Sequence, residues 1–253
     1  MMFIEAIQEI DNLTFAPQKD LKKPKYKKLT LWDEGWETIM LGAPPKGQKI
    51  VDEIKEIQRL VKGATPEQKL QYINCDEDAS FYIKKYMDDN GLEYSQDTID
   101  FIRGQCSPVI KHHKNHFNRA RPYQVAEHLG MEFDRFKTET SKTPSYPSGH
   151  TTQPYVIGLY YSKMYPQHSA GIMKGAKISG FGRVIAGLHY PSDYEAGVKL
   201  GKELFEFMRV EEINEDAPMN STGGAIAMPP TMKKKRDKRY DTDNMYKLLR
   251  RYI

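Results

Sequence analysis

Cysteine and long apolar runs are scarce in this sequence, and each shortage excludes a class of protein. Its 253 residues contain two cysteines, Cys75 and Cys106, too few and too isolated for a disulfide framework or a metal-binding Cys motif. No window approaches about 18 uninterrupted apolar residues, so we expect no transmembrane helix. Glu5 and Glu9 stand where a signal peptide would be apolar, and we therefore expect a cytoplasmic protein.

Strand patterns are also missing, because no segment sustains the alternation of apolar and polar residues that a half-buried strand requires. Helical spacing is common instead, as in Ile50, Ile54, Ile57 and Val61. A chain of this length can bury a sizeable core. The sequence predicts an all-α fold with one helical-bundle domain over residues 50–213. An N-terminal extension with short helices and a basic linker (1–49) precedes it, and a polar, then basic tail (214–253) follows.

Helix boundaries are predicted from capping residues, proline and glycine. Thr65 opens a helix with a capping box, Asp76 opens another that ends near Gly91, and Ser107 precedes Pro108 at the start of a third. Further helices are predicted over 123–129, from residue 148, over 169–187 and after a cap at Ser192, with a polar loop over 134–147.

Charge is distributed unevenly along the chain. The whole chain has a formal net charge of +4, and residues 214–253 alone hold nine Lys and Arg against five Asp and Glu. The basic stretch within 233–251 is a candidate contact for an acidic partner, nucleic acid or a larger assembly, or it stays solvated. A second basic run, from Lys19 to Lys28, leads to Trp32 and Trp36. Such a run can touch phosphates or a membrane surface, but it is more often a solvated connector.

The segment that ends in Pro-Ser-Gly-His is the most informative about function. Ser148 is a good N-cap residue, Gly149 allows close backbone approach to a ligand, and His150 can carry a proton. A helix that begins here offers unpaired N–H groups and a positive dipole end, which favour an anion. Pro154 conflicts with that helix, so the helix either begins late, near Thr151, or bends where the proline lacks its N–H.

Two more clusters flank this segment at a distance of about thirty residues. The upstream cluster contains Lys114 and Arg121, and the downstream cluster contains Arg183, His189 and Asp193. In order, the three clusters read K-x6-R-P, P-S-G-H and R-x5-H-x3-D. This order resembles the signature of the type 2 phosphatidic acid phosphatase superfamily, which also holds bacterial class A acid phosphatases and vanadium haloperoxidases. The resemblance covers about a third of the chain, and the lack of an apolar run favours the soluble branch.

The resemblance implies metal-independent hydrolysis of phosphate monoesters through a phosphohistidine intermediate. His189 would be the nucleophile, and Asp193, one helical turn later, would accept its Nδ1–H. His150 would protonate the leaving alcohol and then activate water. The phosphate would bind to cations and to N–H groups at the helix start, namely Lys114, Arg121, Ser148, Gly149 and Arg183. No cofactor is expected, and vanadate should inhibit as a phosphate mimic.

Two features bear on other interpretations of the motifs. Gly182 stands where the superfamily usually has Ser before the motif-three Arg, so a hydroxyl donor to the phosphate is missing and turnover would be reduced. His112 and His116 lie one helical turn apart, which suggests a metal site. However, His113 stands where the zinc peptidase pattern H-E-x-x-H has Glu, and Lys114 would repel a cation. We therefore predict no metal.

Two alternative functions stay open at the level of sequence. The first is a vanadium-dependent haloperoxidase, in which His189 would ligate vanadate; it ranks lower because such enzymes are usually much longer. The second is an assembly or nucleic-acid-binding component that keeps the fold while the basic tail makes the contacts. The sequence does not distinguish a small-molecule from a lipid phosphate monoester, and it does not indicate the oligomeric state.

Overall fold

The computed structural model describes residues 7–24 and 29–210. Within these ranges the fold is all-α, as predicted, and its only β-type pairing is two isolated bridges. Three short 3-10 helices lie at Gln18–Asp20, Trp36–Thr38 and Pro166–His168. The α-helices from residue 48 onward are α1 (Gln48–Lys62), α2 (Pro66–Glu77), α3 (Phe81–Asp89), α4 (Gln96–Phe117), α5 (Pro122–His128), α6 (Gly149–Met164), α7 (Ser169–Ile185) and α8 (Pro191–Glu206).

Helix α6 is the centre of the fold. It packs against α4, α7 and α8, and its apolar residues Val156 and Ile157 lie in the largest core cluster. The predicted stripe of α1 packs as expected, since its isoleucines and valines are buried in a second cluster with Val184 of α7 and Tyr190 before α8. Because α6 is surrounded by helices, its first turn, which carries the Pro-Ser-Gly-His segment, lies among their ends.

Pro154 lies inside α6, and the helix nevertheless begins at Gly149, so the predicted late start near Thr151 is wrong. In a regular helix the N–H of residue 154 would bind the carbonyl of His150. Proline has no N–H, and the Oγ of Ser179 on α7 donates to that carbonyl instead, at 3.2 Å. A tertiary hydrogen bond thus satisfies the group that the proline leaves unpaired.

Two predicted helix starts are also wrong. Asp76 does not open a helix but lies in the last turn of α2, which ends at Glu77. Pro108 lies inside α4, which begins earlier, after Ser95; the Ser95 Oγ accepts a hydrogen bond from the N–H of Thr98 at 3.2 Å. In contrast, the capping box at Thr65 and the position of α5 after the Arg-Pro pair agree with the prediction.

The start of α8 differs from the prediction by two residues. The helix begins at Pro191 and its N-cap is Tyr190, so Ser192 is not the cap. The carboxylate of Asp193 performs the capping instead, because it accepts a hydrogen bond from the backbone N–H of Tyr190 at 3.0 Å. The same residue that we predicted to orient a catalytic histidine therefore also holds the beginning of its helix.

The aromatic residues that follow the basic run are buried and do not form a binding surface. Leu31, Trp32 and Trp36 belong to the same core cluster as α6, and the Trp32 indole N–H donates to the carbonyl of Gln105 at 3.2 Å. The apolar residues Leu31, Trp32, Trp36, Ile39 and Leu41 of this segment thus pack against the helical body, whereas Met40 is exposed. The division of the chain at residues 49 and 213 stays a prediction, and the basic stretch 233–251 lies outside the described residues.

Close helix packing near the site requires glycine on α8. A Cβ at Gly197 would lie 2.8 Å from the carbonyl oxygen of Ser148 and 2.7 Å from the Cβ of Thr151. Contacts this short are forbidden for any residue with a side chain, so Gly197 allows α8 to lie directly against the first turn of α6. Within the described ranges no helix is long and apolar enough to cross a membrane.

Candidate active site

The eight residues predicted to form the site lie at helix ends that converge beside α6. Lys114 is in the last turn of α4, Arg121 is the N-cap of α5, and Arg183 is in the last turn of α7. The others lie at or near helix starts: Ser148, Gly149 and His150 on α6, and His189 and Asp193 before and within the first turn of α8.

Backbone hydrogen bonds join the three motifs to one another. The N–H of Ser148 donates to the carbonyl of Asp193 at 3.0 Å, which connects the second motif to the third. The N–H of Ser145, just before the second motif, donates to the carbonyl of Arg119 in the first at 2.9 Å. Because these bonds link backbones rather than flexible side chains, the relative positions of the motifs are set by the fold.

His189 is buried, and both of its ring nitrogens have partners. Its Nδ1 lies 3.0 Å from Oδ2 of Asp193, and its Nε2 lies 3.1 Å from Nη1 of Arg121. A carboxylate can only accept a hydrogen bond and a guanidinium can only donate one. The proton of the neutral ring therefore sits on Nδ1, and Nε2 carries a lone pair, which is the tautomer that a nucleophilic His189 requires.

The carboxylate of Asp193 has no exposure to solvent and accepts four hydrogen bonds. Besides His189 and the N–H of Tyr190, its donors are Nη1 of Arg119 at 2.6 Å and Oγ of Ser145. Burial alone would raise the pKa of Asp193. The charge of Arg119 and the bonds from His189 and Ser145 outweigh burial and hold this pKa below its usual value, so the group is ionised.

Two of the predicted phosphate-binding cations hold the loop that precedes the second motif. Arg121 donates through Nε to the carbonyl of Thr143 at 2.9 Å, and through Nη1 to the carbonyl of Leu188 at 2.8 Å. Lys114 donates to the carbonyls of Pro144 and Ser145. Burial and the neighbouring Arg183 lower the pKa of Arg121 to about 10, and burial followed by the charge of Arg121 lowers the pKa of Lys114.

Arg183 is paired with a carboxylate that the sequence did not indicate. Its Nη1 donates to Oδ1 of Asp76, and its Nη2 lies 2.9 Å from Oγ1 of Thr140. The side chains of Asp76 and Arg183 are both buried. One donor is left over, because the Nε–H of Arg183 is buried without a hydrogen-bond partner among the described residues. An orphaned charged donor beside other cations is what an anion would satisfy.

The first turn of α6 contributes a hydroxyl, a glycine and the second histidine. The Oγ of Ser148 accepts from Oγ1 of Thr151 at 2.9 Å and does not cap the helix, which leaves its own proton available to a ligand. A Cβ at Gly149 would meet only a methyl of Ile110 at 3.6 Å, an ordinary contact. Packing therefore does not require glycine there, and close approach of a ligand to Gly149 stays a prediction.

His150 is partly exposed, in contrast to His189. Burial of its ring by surrounding atoms, and then electrostatic interaction with Arg183, His189 and Arg121, lower the pKa of His150 well below its ordinary value. Arg121 connects the two histidines, because it donates to Nε2 of His189 and its charge also lowers the pKa of His150. The site thus holds two imidazoles in one cationic environment.

The three histidines around Lys114 do not converge on a common point. His113 is buried, whereas His112 and His116 are exposed on α4. Burial and then the neighbouring His112 and His116 lower the pKa of His113 to about 4. In the part of the chain that the structure describes, no group of three or more His, Cys, Asp or Glu side chains has an arrangement that could hold a metal ion.

Four side chains in the site were not predicted. Arg119 had a visible signal, because it precedes Arg121 by two residues and residues at this spacing in an extended segment point the same way. Ser145 stands three residues before Ser148, and its position in a loop gave no indication of its role. Asp76 and Glu53 come from helices far away in sequence, and nothing local connects them to the motifs.

Comparison with known proteins agrees with this geometry. Residues 102–204 match the model of the PAP2 superfamily. An acid phosphatase of Zymomonas mobilis is 38% identical over 85 residues, which are 33% of this chain and 31% of the relative. A lipid A 1-phosphatase of Rhizobium johnstonii is 32% identical over 88 residues, 35% of this chain and 36% of the relative.

Among solved structures, a bacterial vanadium-dependent iodoperoxidase has a similar fold, with a TM-score of 0.52 at 15% identity. The similarity covers 69% of this chain and 51% of that protein. The predicted superfamily and the all-α fold are thus confirmed, whereas membership of its soluble branch stays a prediction. The chain spans about a third of the length of the curated relatives it matches.

Proposed function

We propose that this protein hydrolyses phosphate monoesters without a metal, through a phosphohistidine formed on His189. The observation that carries the proposal is the partnering of the ring: Asp193 accepts from Nδ1 at 3.0 Å and Arg121 donates to Nε2 at 3.1 Å. This arrangement leaves a lone pair on Nε2 beside cations that attract a phosphate dianion. The acid phosphatase of Zymomonas mobilis that is 38% identical over 85 residues supports hydrolysis of a phosphate monoester.

In the first step, Nε2 of His189 attacks phosphorus and the bond from phosphorus to the leaving oxygen breaks. Arg121 must release Nε2 for this attack, and a bound phosphate offers its guanidinium stronger acceptors than the imidazole. The charge that forms on the ring as Nε2 bonds to phosphorus is stabilised by Asp193 through Nδ1–H. Lys114, Arg121 and Arg183 stabilise the equatorial oxygens in the transition state.

His150 would transfer the proton in both steps. Its protonated ring donates to the leaving alkoxide, and its neutral ring then takes a proton from the water that attacks the phosphohistidine. The second attack releases inorganic phosphate and restores neutral His189. The low pKa of His150, caused by burial and nearby cations, is opposed by a bound dianion, so substrate binding favours the protonated acid.

Hydrolysis of p-nitrophenyl phosphate in EDTA tests the proposal directly. We expect His189→Ala to lose at least about 10³-fold in kcat, since removal of a nucleophile typically costs this much or more. His128→Ala is the matched control, because His128 is partly exposed and pairs with Glu9 at 3.0 Å, away from the site. Unchanged turnover in His189→Ala would exclude the phosphohistidine route.

Trapping of the intermediate separates the two histidines. A phosphohistidine is detected by phosphorus NMR after an alkaline quench. We expect it in the wild type and in larger amount in His150→Asn, where its hydrolysis lacks a base, and we expect none in His189→Ala. A phosphoenzyme in His189→Ala would transfer the role of nucleophile to another residue.

The substrate is proposed as a class, a small-molecule or lipid phosphate monoester, and a substrate panel would distinguish the two. Vanadate is expected to bind the same cations and to inhibit. Halide oxidation by peroxide after vanadate loading would favour the haloperoxidase alternative instead.

Truncation after Ile213 tests the assembly alternative, because loss of binding with unchanged hydrolysis would make the tail a contact region. A cytoplasmic location is part of the proposal and is supported by two cysteines that are buried and free.

A further inference from the structure

A chain of charged and polar side chains leads from Glu53 on α1, which is partly buried, through buried residues to the candidate nucleophile. Oε2 of Glu53 accepts from Nη2 of Arg119 at 2.9 Å, and Nη1 of Arg119 donates to Oδ1 of Asp193 at 2.6 Å. Oδ2 of Asp193 in turn accepts from Nδ1 of His189. Glu53 and His189 are 136 positions apart in the chain, yet three consecutive hydrogen-bonded contacts connect them.

Each member of this chain is held by additional contacts. The carboxylate of Glu53 also accepts from the backbone N–H of Ser192 at 2.7 Å and from its Oγ at 2.9 Å. The guanidinium of Arg119 lies over the ring of Tyr190, 3.8 Å from its centroid, and also donates to Oγ of Ser192. Glu53 and Arg119 therefore hold the start of α8 through contacts with Tyr190, Ser192 and Asp193.

We propose that Glu53 and Arg119 are positioning residues, which through Asp193 set the orientation and proton affinity of His189. This inference rests on the proposed function for its effect on catalysis, but not for its effect on the ring. Arg119 neutralises a carboxylate that would otherwise bind a proton more readily, and Glu53 moderates the charge of Arg119. The two residues should therefore act on His189 in opposite directions.

The electrostatic signs follow from the order of charges. Without the positive Arg119, a proton on either His189 or Asp193 is less strongly repelled, so the pair takes up a proton at higher pH. Without the negative Glu53, the charge of Arg119 is felt more strongly, and the pair takes up its proton at lower pH. The pKa of Asp193 supports this order, because the charge of Arg119 contributes to holding that pKa below its usual value against the effect of burial.

Other groups that face the pair stay constant between the variants. They are Arg121 and Lys114 from the first motif, His150 from α6, Arg183 from α7, and the phenols of Tyr146 and Tyr190. A nucleophile needs a neutral ring, so hydrolysis fails on the acid side where the pair binds its proton. The acidic limb of kcat/KM against pH is thus the kinetic measure of this affinity.

The test compares Arg119→Met and Glu53→Gln with wild type. We expect the acidic limb to move to higher pH in Arg119→Met, with a loss of about 10²-fold in kcat/KM because the ring is also less well oriented. In Glu53→Gln we expect the limb to move to lower pH. Arg119→Lys keeps the charge and should return the limb toward its wild-type position. Asp52→Asn, an exposed acid beside Glu53 on α1, is the control and should leave the limb in place.

The proton affinity of the ring is also measured without turnover. Nitrogen-15 NMR reports the tautomer and titration of His189, assigned among the seven histidines by comparison with His189→Ala. We expect the Nδ1–H tautomer in wild type and the order Arg119→Met above wild type above Glu53→Gln in the pKa of His189. If the pKa of His189 shifts in the same direction in both variants, the proposal is overturned. This holds even if the variants unfold at a lower temperature than wild type. Absence of phosphatase activity with the expected NMR order would instead contradict only the proposed function.

Discussion

The two histidines of the site are held in opposite ways. His189 is 3% exposed, and both of its ring nitrogens have hydrogen-bond partners. His150 is partly exposed, and its ring has no hydrogen-bond partner within the described ranges. Only its backbone carbonyl is bound, by Ser179. One ring is locked by a buried charge network, whereas the other is positioned only by the helix that carries it.

This difference matches the two roles that we propose. A nucleophile must present one nitrogen, in one tautomer, along one direction, and every partner of His189 serves that requirement. An acid and base must instead exchange a proton with water in each cycle, and a ring locked between two partners could not do so. The hydrogen bonds to the His189 ring and their absence at the His150 ring therefore both follow from these two roles. Substitutions can test each of the two environments separately.

The largest effect is expected from Asp193→Asn, which changes the hydrogen bond that fixes the His189 ring. An amide can present N–H to Nδ1 and so favour the wrong tautomer, and the loss of kcat should be about 10³ to 10⁴-fold. Kinetics on p-nitrophenyl phosphate measure this loss. Asp78→Asn is the control, because Asp78 is also buried and pairs with Lys84 at 2.5 Å, but does not contact the dyad. The control should lower the melting temperature while retaining kcat, and a mild kcat effect in Asp193→Asn would argue against the tautomer assignment.

His150→Asn removes the partly exposed imidazole that we propose as acid and base. The size of its effect should depend on the leaving group of the substrate. General acid catalysis typically contributes about 10² to 10⁴-fold. We expect a loss in this range with an alkyl phosphate, whose alkoxide needs a proton. The loss in the first step should be much smaller with p-nitrophenyl phosphate, whose phenolate does not. Burst kinetics isolate that step, and equal losses with both substrates would remove His150 from the role of acid.

The pH dependence of the wild-type kcat should also report the protonation of His150. A general acid works only in its protonated form, so activity falls as pH rises through the pKa of His150 in the complex. Burial and neighbouring cations lower this pKa in the free site, and a bound dianion raises it again, so the pH of the fall reports the pKa of His150 in the complex. We expect kcat for an alkyl phosphate to decline with rising pH and the decline to disappear in His150→Asn. A decline that persists in the variant must come from another group.

The structure brings together the motif residues that the sequence singled out, whereas several predicted helix starts around them are wrong. The motif residues could be singled out because their order and spacing resemble the superfamily signature, and their roles stay predictions. The residues that hold the motif side chains in place could not be predicted, because Asp76 and Glu53 reach the site from helices that are distant in sequence. Asp76 was even mistaken for a helix start, since an acid near a helix boundary is typical of the first turn. Similarly, Pro108 appeared to begin a helix because tertiary packing that tolerates an internal proline leaves no local signal.

Asp76→Asn should have a smaller effect than either histidine-side variant, mainly on binding. The carboxylate holds the guanidinium of Arg183 while its Nε–H stays unpaired. Loss of one partner in a buried pair costs about 3 to 5 kcal/mol of stability. We expect KM and the inhibition constant for vanadate to rise about tenfold, with kcat falling less, because phosphate contacts act in both ground and transition states. Asp89→Asn, in an exposed pair with Lys85, should change neither constant.

Gly182→Ser is expected to have the smallest effect, and it tests whether this chain lacks a phosphate donor. A Cβ at Gly182 would come no closer than 4.0 Å to the Cα of Tyr72, so a side chain fits at this buried position. Serine should therefore be tolerated, and its higher helix propensity adds about 0.5 kcal/mol. If the hydroxyl reaches the phosphate, one neutral hydrogen bond would lower KM by about two- to tenfold. Gly182→Ala supplies the same Cβ without the hydroxyl, so equal KM values in the two variants would show that the missing serine does not limit this site.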